Sequence, residues 1–122
     1  AANIVFTRNA TESINLVAYS YGLNFIKPGT EIVVSIAEHH SNMLPWQMVA
    51  RQTGATLKFI DCEMDGRLDL NKVSEIITDK TKIVAVTHVS NVIGRVNPIR
   101  EIANIKCVRQ GKSHKKNSGT CS

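Results

Sequence analysis

Residues 32–36, Ile-Val-Val-Ser-Ile, lead into residues 38–47, Glu-His-His-Ser-Asn-Met-Leu-Pro-Trp-Gln, and these two segments decide the fold. The first is rich in β-branched residues, which favour a buried strand. The second is polar and contains Pro45, which stands where a helix can begin. A strand therefore passes directly into a helix at this polar segment. In parallel α/β folds such junctions lie at the carboxyl edge of the sheet, where ligands bind, so His39 and His40 are site candidates.

Two adjacent histidines suggest a metal ion. Neighbouring side chains, however, point to opposite faces of a strand, or about 100° apart on a helix, so one ion is poorly placed to bind both. No H-E-x-x-H or C-x-x-C motif accompanies them. We therefore predict no metal site, and for His40 we favour a structural role in capping or satisfying a turn.

The 122 residues, 43% of them hydrophobic, suffice for one small domain with a packed core. The net charge of +5 lies entirely in the basic residues after position 105, because basic and acidic residues balance before it. We divide the chain into a domain at residues 1–105 and a basic tail at residues 106–122, which we expect to be disordered. The tail lacks aromatic residues for base stacking, so we expect no nucleic-acid partner.

Three cysteines at irregular spacing match neither a disulfide framework nor a zinc motif and fit a reducing compartment. No apolar run approaches the roughly 20 residues that cross a bilayer. The N-terminus has no basic-then-apolar signal pattern. We therefore expect a soluble protein with no membrane partner.

Strand patterns at residues 3–7, 31–36, 56–60 and 82–89 alternate with helical patterns. This alternation predicts a three-layer α/β domain with a mostly parallel sheet and right-handed crossovers. Either Asn9, with Glu12 three residues later, or Thr11 could cap the first helix, whose free N–H groups would suit a phosphate. Capped helices after strands are common, so this segment alone does not establish a phosphate site. After the fourth strand Asn91 is the better site candidate, whereas His88 is equally compatible with a packed residue.

Three segments together resemble the Suf-type (group II) cysteine desulfurases, pyridoxal-phosphate enzymes of the class V aminotransferase superfamily. They are residues 5–18, residues 38–47 and residues 87–94. The resemblance covers residues 1 to about 105 and implies the first part of the large cofactor-binding domain, of fold type I. It also implies that the second strand lies between the third and the fourth, and that the first pairs with a strand absent from this chain.

The resemblance assigns roles to particular residues. Ala10 and Thr11 match the turn that holds the phosphate of pyridoxal 5'-phosphate. His39 matches the histidine that stacks on the pyridine ring and transfers protons, a duty that suits histidine as a residue type. Asn91 matches an asparagine near the ring, and His40 and Gln47 match supporting positions.

The family reaction removes sulfur from L-cysteine, giving alanine and an enzyme persulfide for iron–sulfur cluster assembly. The enzymes are homodimers that pass sulfur to an acceptor protein, in the cytoplasm of bacteria or the plastid stroma of plants and algae. The family's cofactor lysine, pyridine-nitrogen aspartate, persulfide cysteine and substrate-carboxylate arginine are not matched here, so we expect this chain alone to be inactive. Alternatives are a selenocysteine lyase, another class V aminotransferase-like enzyme, or a non-catalytic interaction module with a basic tail.

Overall fold

The computed structural model describes residues 3–90 and 94–113. Over these residues the sheet consists of β1 (Glu31–Ser35), β2 (Thr56–Ile60) and β3 (Thr81–Ala85). The α-helices are α1 (Ala10–Val17), α2 (Leu23–Phe25), α3 (Leu44–Thr53), α4 (Leu70–Ile76) and α5 (Ile99–Ser113). A π-helical segment, Ala18–Gly22, joins α1 to α2, and a 3-10 turn, His40–Asn42, precedes α3. In this part of the chain no helix has the length and apolar character needed to span a membrane.

The three strands are parallel, in the order β2-β1-β3. This order confirms that the strand at 31–36 lies between the strands at 56–60 and 82–89. The last of these is shorter than expected, since β3 ends at Ala85. Because parallel strands share one carboxyl edge, the segments that follow β1 and β3 meet at the same end of the sheet.

The predicted strand at residues 3–7 is wrong, because the described part of the chain forms no strand there. Ile4, Val5 and Phe6 have the right residue types, but they are 64%, 72% and 94% exposed. A strand is stabilised by pairing and by packing of its side chains, neither of which residue type alone supplies. The segment has no neighbouring strand to pair with in the described structure.

Helices cover both faces of the sheet, which confirms the three-layer α/β arrangement. On one face Ile32 and Val34 of β1 pack with residues of the π-helical segment and α3, including Val49. On the other face Val33 packs with α4 and α5, including Ile102. Alternate side chains of β1 thus enter two separate cores, as a strand buried on both faces requires.

Gly22 brings the π-helical segment against α3. A β-carbon added at Gly22 would lie 2.9 Å from Cγ2 of Val49, so even a methyl group does not fit without movement. Glycine at this position therefore allows the close approach of the two helices.

The helix ends follow local sequence signals. Asn9 and Asp69 cap α1 and α4 by accepting hydrogen bonds from main-chain N–H groups, as their residue types predict. Gly54 ends α3 in the left-handed conformation, with φ of 73°. The predicted domain boundary at residue 106 coincides with no break, because α5 continues to Ser113. The helix thus extends through the first residues of the predicted tail, and both the domain division and the disorder expected of the tail stay predictions.

A polar cluster closes the amino end of the sheet around Glu31. Its carboxylate accepts hydrogen bonds from Nζ of Lys58 (2.7 Å) and from Oγ1 of Thr78 (2.6 Å) and Thr81 (3.1 Å). Burial by itself would raise the pKa of Glu31, but these hydrogen bonds outweigh it and hold the pKa below its usual value. The cluster joins β1 to β2 and β3 and lies at the opposite end of the sheet from His39.

Candidate functional site

A cavity of about 870 Å³ in the described structure runs along β3. Helix α1 forms one wall, α5 forms the other, and residues 37–42 close the end next to the carboxyl edge of the sheet. Ala10 and His39 both line it, so the structure brings these two predicted site residues together. Thr11 instead lines a separate groove of about 310 Å³ together with His40. Asn91 lies outside the described residues.

The first turn of α1 offers free hydrogen-bond donors. Oδ1 of Asn9 accepts from the main-chain N–H of Glu12 (2.9 Å), and the carbonyl of Asn9 accepts from the N–H of Ser13 (3.2 Å). In the described structure the N–H groups of Ala10 and Thr11 have no acceptor. Two adjacent unpaired N–H groups at a helix start are suited to bind an anion.

The carboxylate of Glu12 places a negative charge near that turn, and this charge would oppose the binding of an anion. Its carboxylate accepts from the main-chain N–H of Arg8 (2.7 Å) and pairs with the guanidinium of Arg8 (3.1 Å). These side-chain and main-chain hydrogen bonds lower the pKa of Glu12. The pairing reduces the repulsion that Glu12 would exert on an anion bound at the helix start.

His39 is exposed to the cavity, and its ring is held by a local contact. The residue is extended (φ −63°, ψ 150°) and caps the 3-10 turn: Nδ1 accepts from the main-chain N–H of Ser41 (3.2 Å) and lies 3.0 Å from the Ser41 hydroxyl oxygen. The ring is therefore oriented from its Nδ1 side. Nε2 makes no hydrogen bond in the described part of the chain.

The buried side chain of Glu38, next to His39, fixes the end of the sheet. Oε1 accepts from the hydroxyl of Ser35 (2.6 Å) and from the main-chain N–H of Thr87 (2.7 Å). Oε2 accepts from Nδ2 of Asn42 (2.7 Å), and Oδ1 of Asn42 accepts from Nε1 of Trp46 (3.0 Å). This network, the Glu38 network, ties together the ends of β1 and β3 and the start of α3.

Asn97 extends this fixation to α5. It is 4% exposed, and its Nδ2 donates to the carbonyl of Thr87 (2.9 Å) while its main-chain N–H donates to the carbonyl of His88 (2.7 Å). Its Oδ1 is buried without a partner in the described structure. The side chain of His88 is exposed, which is at odds with a packed role for that residue.

Sequence reasoning missed Glu38, Thr87 and Asn97. A signal for the first was present, since Glu38, Asn42 and Trp46 follow one another at a spacing of four residues, which places polar side chains close enough to hydrogen-bond in a helix. In the structure only Trp46 lies in an α-helix, and the hydrogen bonds form across the 3-10 turn. Thr87 takes part through its main-chain N–H and carbonyl groups, so its residue type does not indicate this role.

The far end of the cavity contains a lysine pair. Nζ of Lys106 donates to the main-chain carbonyl of Lys82 (2.9 Å), and partial burial, together with the charge of Lys82, lowers the pKa of Lys106. Lys82 and Thr87 are five residues apart, which is about 16 Å along a strand. A small ligand bound near His39 is therefore out of reach of Lys106.

The size of the cavity is not by itself a sign of a ligand. In the described structure β3 pairs with β1 on one edge only, and the cavity follows the other edge. One further strand of the same length would occupy about 16 Å by 4.8 Å by 10 Å, or roughly 800 Å³, which is similar to the volume of the cavity. We therefore restrict the candidate site to the end that contains Ala10 and His39. No group of three or more His, Cys, Asp or Glu side chains in the described ranges is placed to hold a metal ion.

Several known proteins similar to this chain are named as cysteine desulfurases. The aminotransferase class-V family model matches residues 1–112. A probable cysteine desulfurase of Synechocystis is 54% identical over 102 residues, covering 84% of this chain and 24% of that protein. The cysteine desulfurase of Haloferax volcanii is 48% identical over 102 residues, which cover 84% of this chain and 24% of that protein. The apo cysteine desulfurase structure from Thermococcus onnurineus has a TM-score of 0.81 at 42% identity and covers 87% of this chain and 26% of that one. The chain thus spans about a quarter of the length of these relatives.

Proposed function

Because the chain belongs to the aminotransferase class-V family, we propose that it supplies the phosphate-binding and ring-stacking part of a cysteine desulfurase site for pyridoxal 5'-phosphate. The observation that carries this proposal is the shared position of Ala10 and His39 at one end of the cavity, beside two unpaired N–H groups. An anion-binding helix start next to an exposed imidazole fits a ligand that has a phosphate and an aromatic ring.

The residues divide the work of binding. The N–H groups of Ala10 and Thr11 would hold the phosphate, and the imidazole of His39 would lie against the pyridine ring and move protons. Since the side chain of Thr11 lines the other groove, its main-chain N–H is the donor we assign to the phosphate. Asn91 stays a predicted neighbour of the ring. When bound, the cofactor supplies an electron sink for bonds at the substrate's α-carbon.

In the complete protein we propose removal of sulfur from L-cysteine, with the homodimer passing sulfur to an acceptor protein for iron–sulfur cluster assembly. The chain on its own binds the cofactor without turnover, because Lys106 lies at the wrong end of the cavity and no other described lysine lines it near His39. The family's cysteine and substrate-binding arginine are likewise unmatched in this sequence.

The test is titration of the purified chain with pyridoxal 5'-phosphate, followed by the fluorescence of Trp46. This tryptophan is 4% exposed, lines the cavity and is the single Trp of the chain, so it reports on the site. We expect saturable quenching that inorganic phosphate competes away, and no release of sulfide from L-cysteine. Loss of stacking in His39→Ala should weaken binding by about 2- to 12-fold, from ~0.5–1.5 kcal/mol for an aromatic pair.

His88→Ala is the matched control, since it also removes an exposed imidazole, but one that is not among the residues lining the cavity. It should bind as the unmodified chain does. Equal binding by the His39→Ala variant, or quenching that phosphate does not affect, would contradict the proposed site. Sulfide release would show that the chain contains catalytic groups that we have not identified.

A further inference from the structure

The contact between His39 and Ser41 determines which ring nitrogen of His39 carries the proton. A neutral imidazole has one N–H donor and one acceptor nitrogen. A main-chain N–H is always a donor, and that of Ser41 points at Nδ1 of His39 at 3.2 Å. Nδ1 must then be the acceptor, which leaves the proton on Nε2.

We propose that the main-chain N–H of Ser41 holds neutral His39 as the Nε2–H tautomer, so that the ring presents a hydrogen-bond donor to an acceptor atom in the cavity. Ser41 is on this view a positioning residue for His39. The assignment of the cavity's ligand rests on the proposed function, but the tautomer does not.

The surroundings of His39 make this contact a stable one. The main-chain N–H of Asn42 donates to the carbonyl of His39 (2.8 Å), and that of Met43 donates to the carbonyl of His40 (3.1 Å), which closes the 3-10 turn. Glu38, the residue before His39, is held in place by the hydrogen bonds of its buried carboxylate. The main chain is thus held on both sides of the ring.

The Ser41 hydroxyl gives the ring a second state. When His39 takes up a proton from solvent at Nδ1, the N–H of Ser41 loses its acceptor, and the hydroxyl oxygen at 3.0 Å can accept the new Nδ1–H. The imidazolium then has a proton on each nitrogen, and release of the Nε2 proton to the ligand would leave the remaining proton on Nδ1. Uptake of a proton from solvent at Nε2 and loss of the Nδ1 proton to solvent then restore the Nε2–H tautomer. Proton donation therefore proceeds from Nε2, with Nδ1 facing Ser41 throughout.

The experiment is nuclear magnetic resonance of the ¹⁵N-labelled chain without cofactor, at a pH where imidazoles are neutral. We expect His39 to show an unprotonated Nδ1 and a protonated Nε2, with a more extreme difference between the two nitrogen shifts than His40 in the same spectrum. We also expect a coupling across the hydrogen bond between the Ser41 amide nitrogen and Nδ1 of His39. A protonated Nδ1, or shifts equal to those of His40, would overturn the proposal.

Two variants separate the main-chain N–H from the hydroxyl. Ser41→Ala keeps the N–H and should keep the His39 shifts, whereas Ser41→Pro removes the N–H and should bring them to the values of His40. If the proline variant fails to fold, the coupling in the unmodified chain decides the question. Because no cofactor is present, a negative result here is distinguishable from failure of the chain to bind pyridoxal 5'-phosphate.

Discussion

Removing the Glu38 carboxylate should destabilise the fold more than any exposed carboxylate does. Glu38→Ala leaves three donors without an acceptor: the Ser35 hydroxyl, the Thr87 N–H and the Asn42 amide. A buried donor without a partner costs ~1–3 kcal/mol. Because Glu38 borders the cavity, water can satisfy part of the loss, so we expect about 3–5 kcal/mol. This is a large fraction of the ~5–15 kcal/mol of a typical domain.

Glu38→Gln is the more specific perturbation. The amide oxygen still accepts from Ser35 and Thr87, but the amide nitrogen faces Nδ2 of Asn42, so that two donors meet. Rotation of the Asn42 amide would relieve this but would take the acceptor away from Trp46. We expect a loss of about 1–3 kcal/mol from the one unmatched donor.

A second change at position 42 should restore the match. In the Glu38→Gln background, Asn42→Asp supplies oxygens that accept from both the new amide and Trp46. In the unmodified background Asn42→Asp places two carboxylates face to face and should destabilise. The double-mutant cycle should therefore give a favourable coupling of about 1–3 kcal/mol.

The assay is urea unfolding, followed in parallel by Trp46 fluorescence and circular dichroism, with the free energy of unfolding obtained by linear extrapolation. Glu75→Gln, an exposed change on α4, is the control and should stay within about 0.5 kcal/mol. The reasoning is refuted if Glu38→Gln is as stable as the unmodified chain, or if the cycle shows no coupling.

Three further predictions concern other parts of the fold. Because the folded-state pKa of Glu31 is below the ordinary value of 4.5, its contribution to stability is complete above that pH and is lost as the pH falls below it. Glu31→Gln should therefore flatten the decline of the urea midpoint on acidification, and an unchanged decline would count against the cluster. Gly22→Ala should lower the free energy of unfolding by about 1–3 kcal/mol through overpacking against Val49, measured by thermal or urea denaturation. An unchanged free energy of unfolding would contradict the close packing of Gly22 on α3. Burial and a neighbouring lysine lower the pKa of Lys106, so it should react faster than exposed Lys80 with limiting acylating reagent at pH 8–9. Peptide mass spectrometry measures the two extents of labelling, and equal labelling would contradict the lowered pKa of Lys106.

Features that depend on a few neighbouring residues were predictable from sequence. The caps at Asn9 and Asp69 and the glycine end of α3 use contacts within three or four residues, which residue type and spacing encode. The alternation of strand patterns with helical patterns also predicted the three-layer fold. The carboxyl-edge argument placed His39 correctly at the end of the sheet.

Features that depend on distant contacts were not predictable in the same way. Residues 3–7 have strand-forming side chains, yet pairing requires another backbone, and the prediction failed for that reason. The role of Glu38 depends on a main-chain group 49 residues away. The side chain of Thr11 points to a different groove from Ala10 because successive helical residues are rotated by about 100°. Spacing alone did not resolve which group of Thr11 faces the site.

The edge of β3 that pairs with no strand in the described structure can pair with other chains as long as nothing covers it. An exposed strand edge is a template for pairing with other chains, and the walls formed here by α1 and α5 are largely apolar. Lys82 and Lys106 stand at one end of the edge, where their charges act as gatekeepers against a second strand from another molecule.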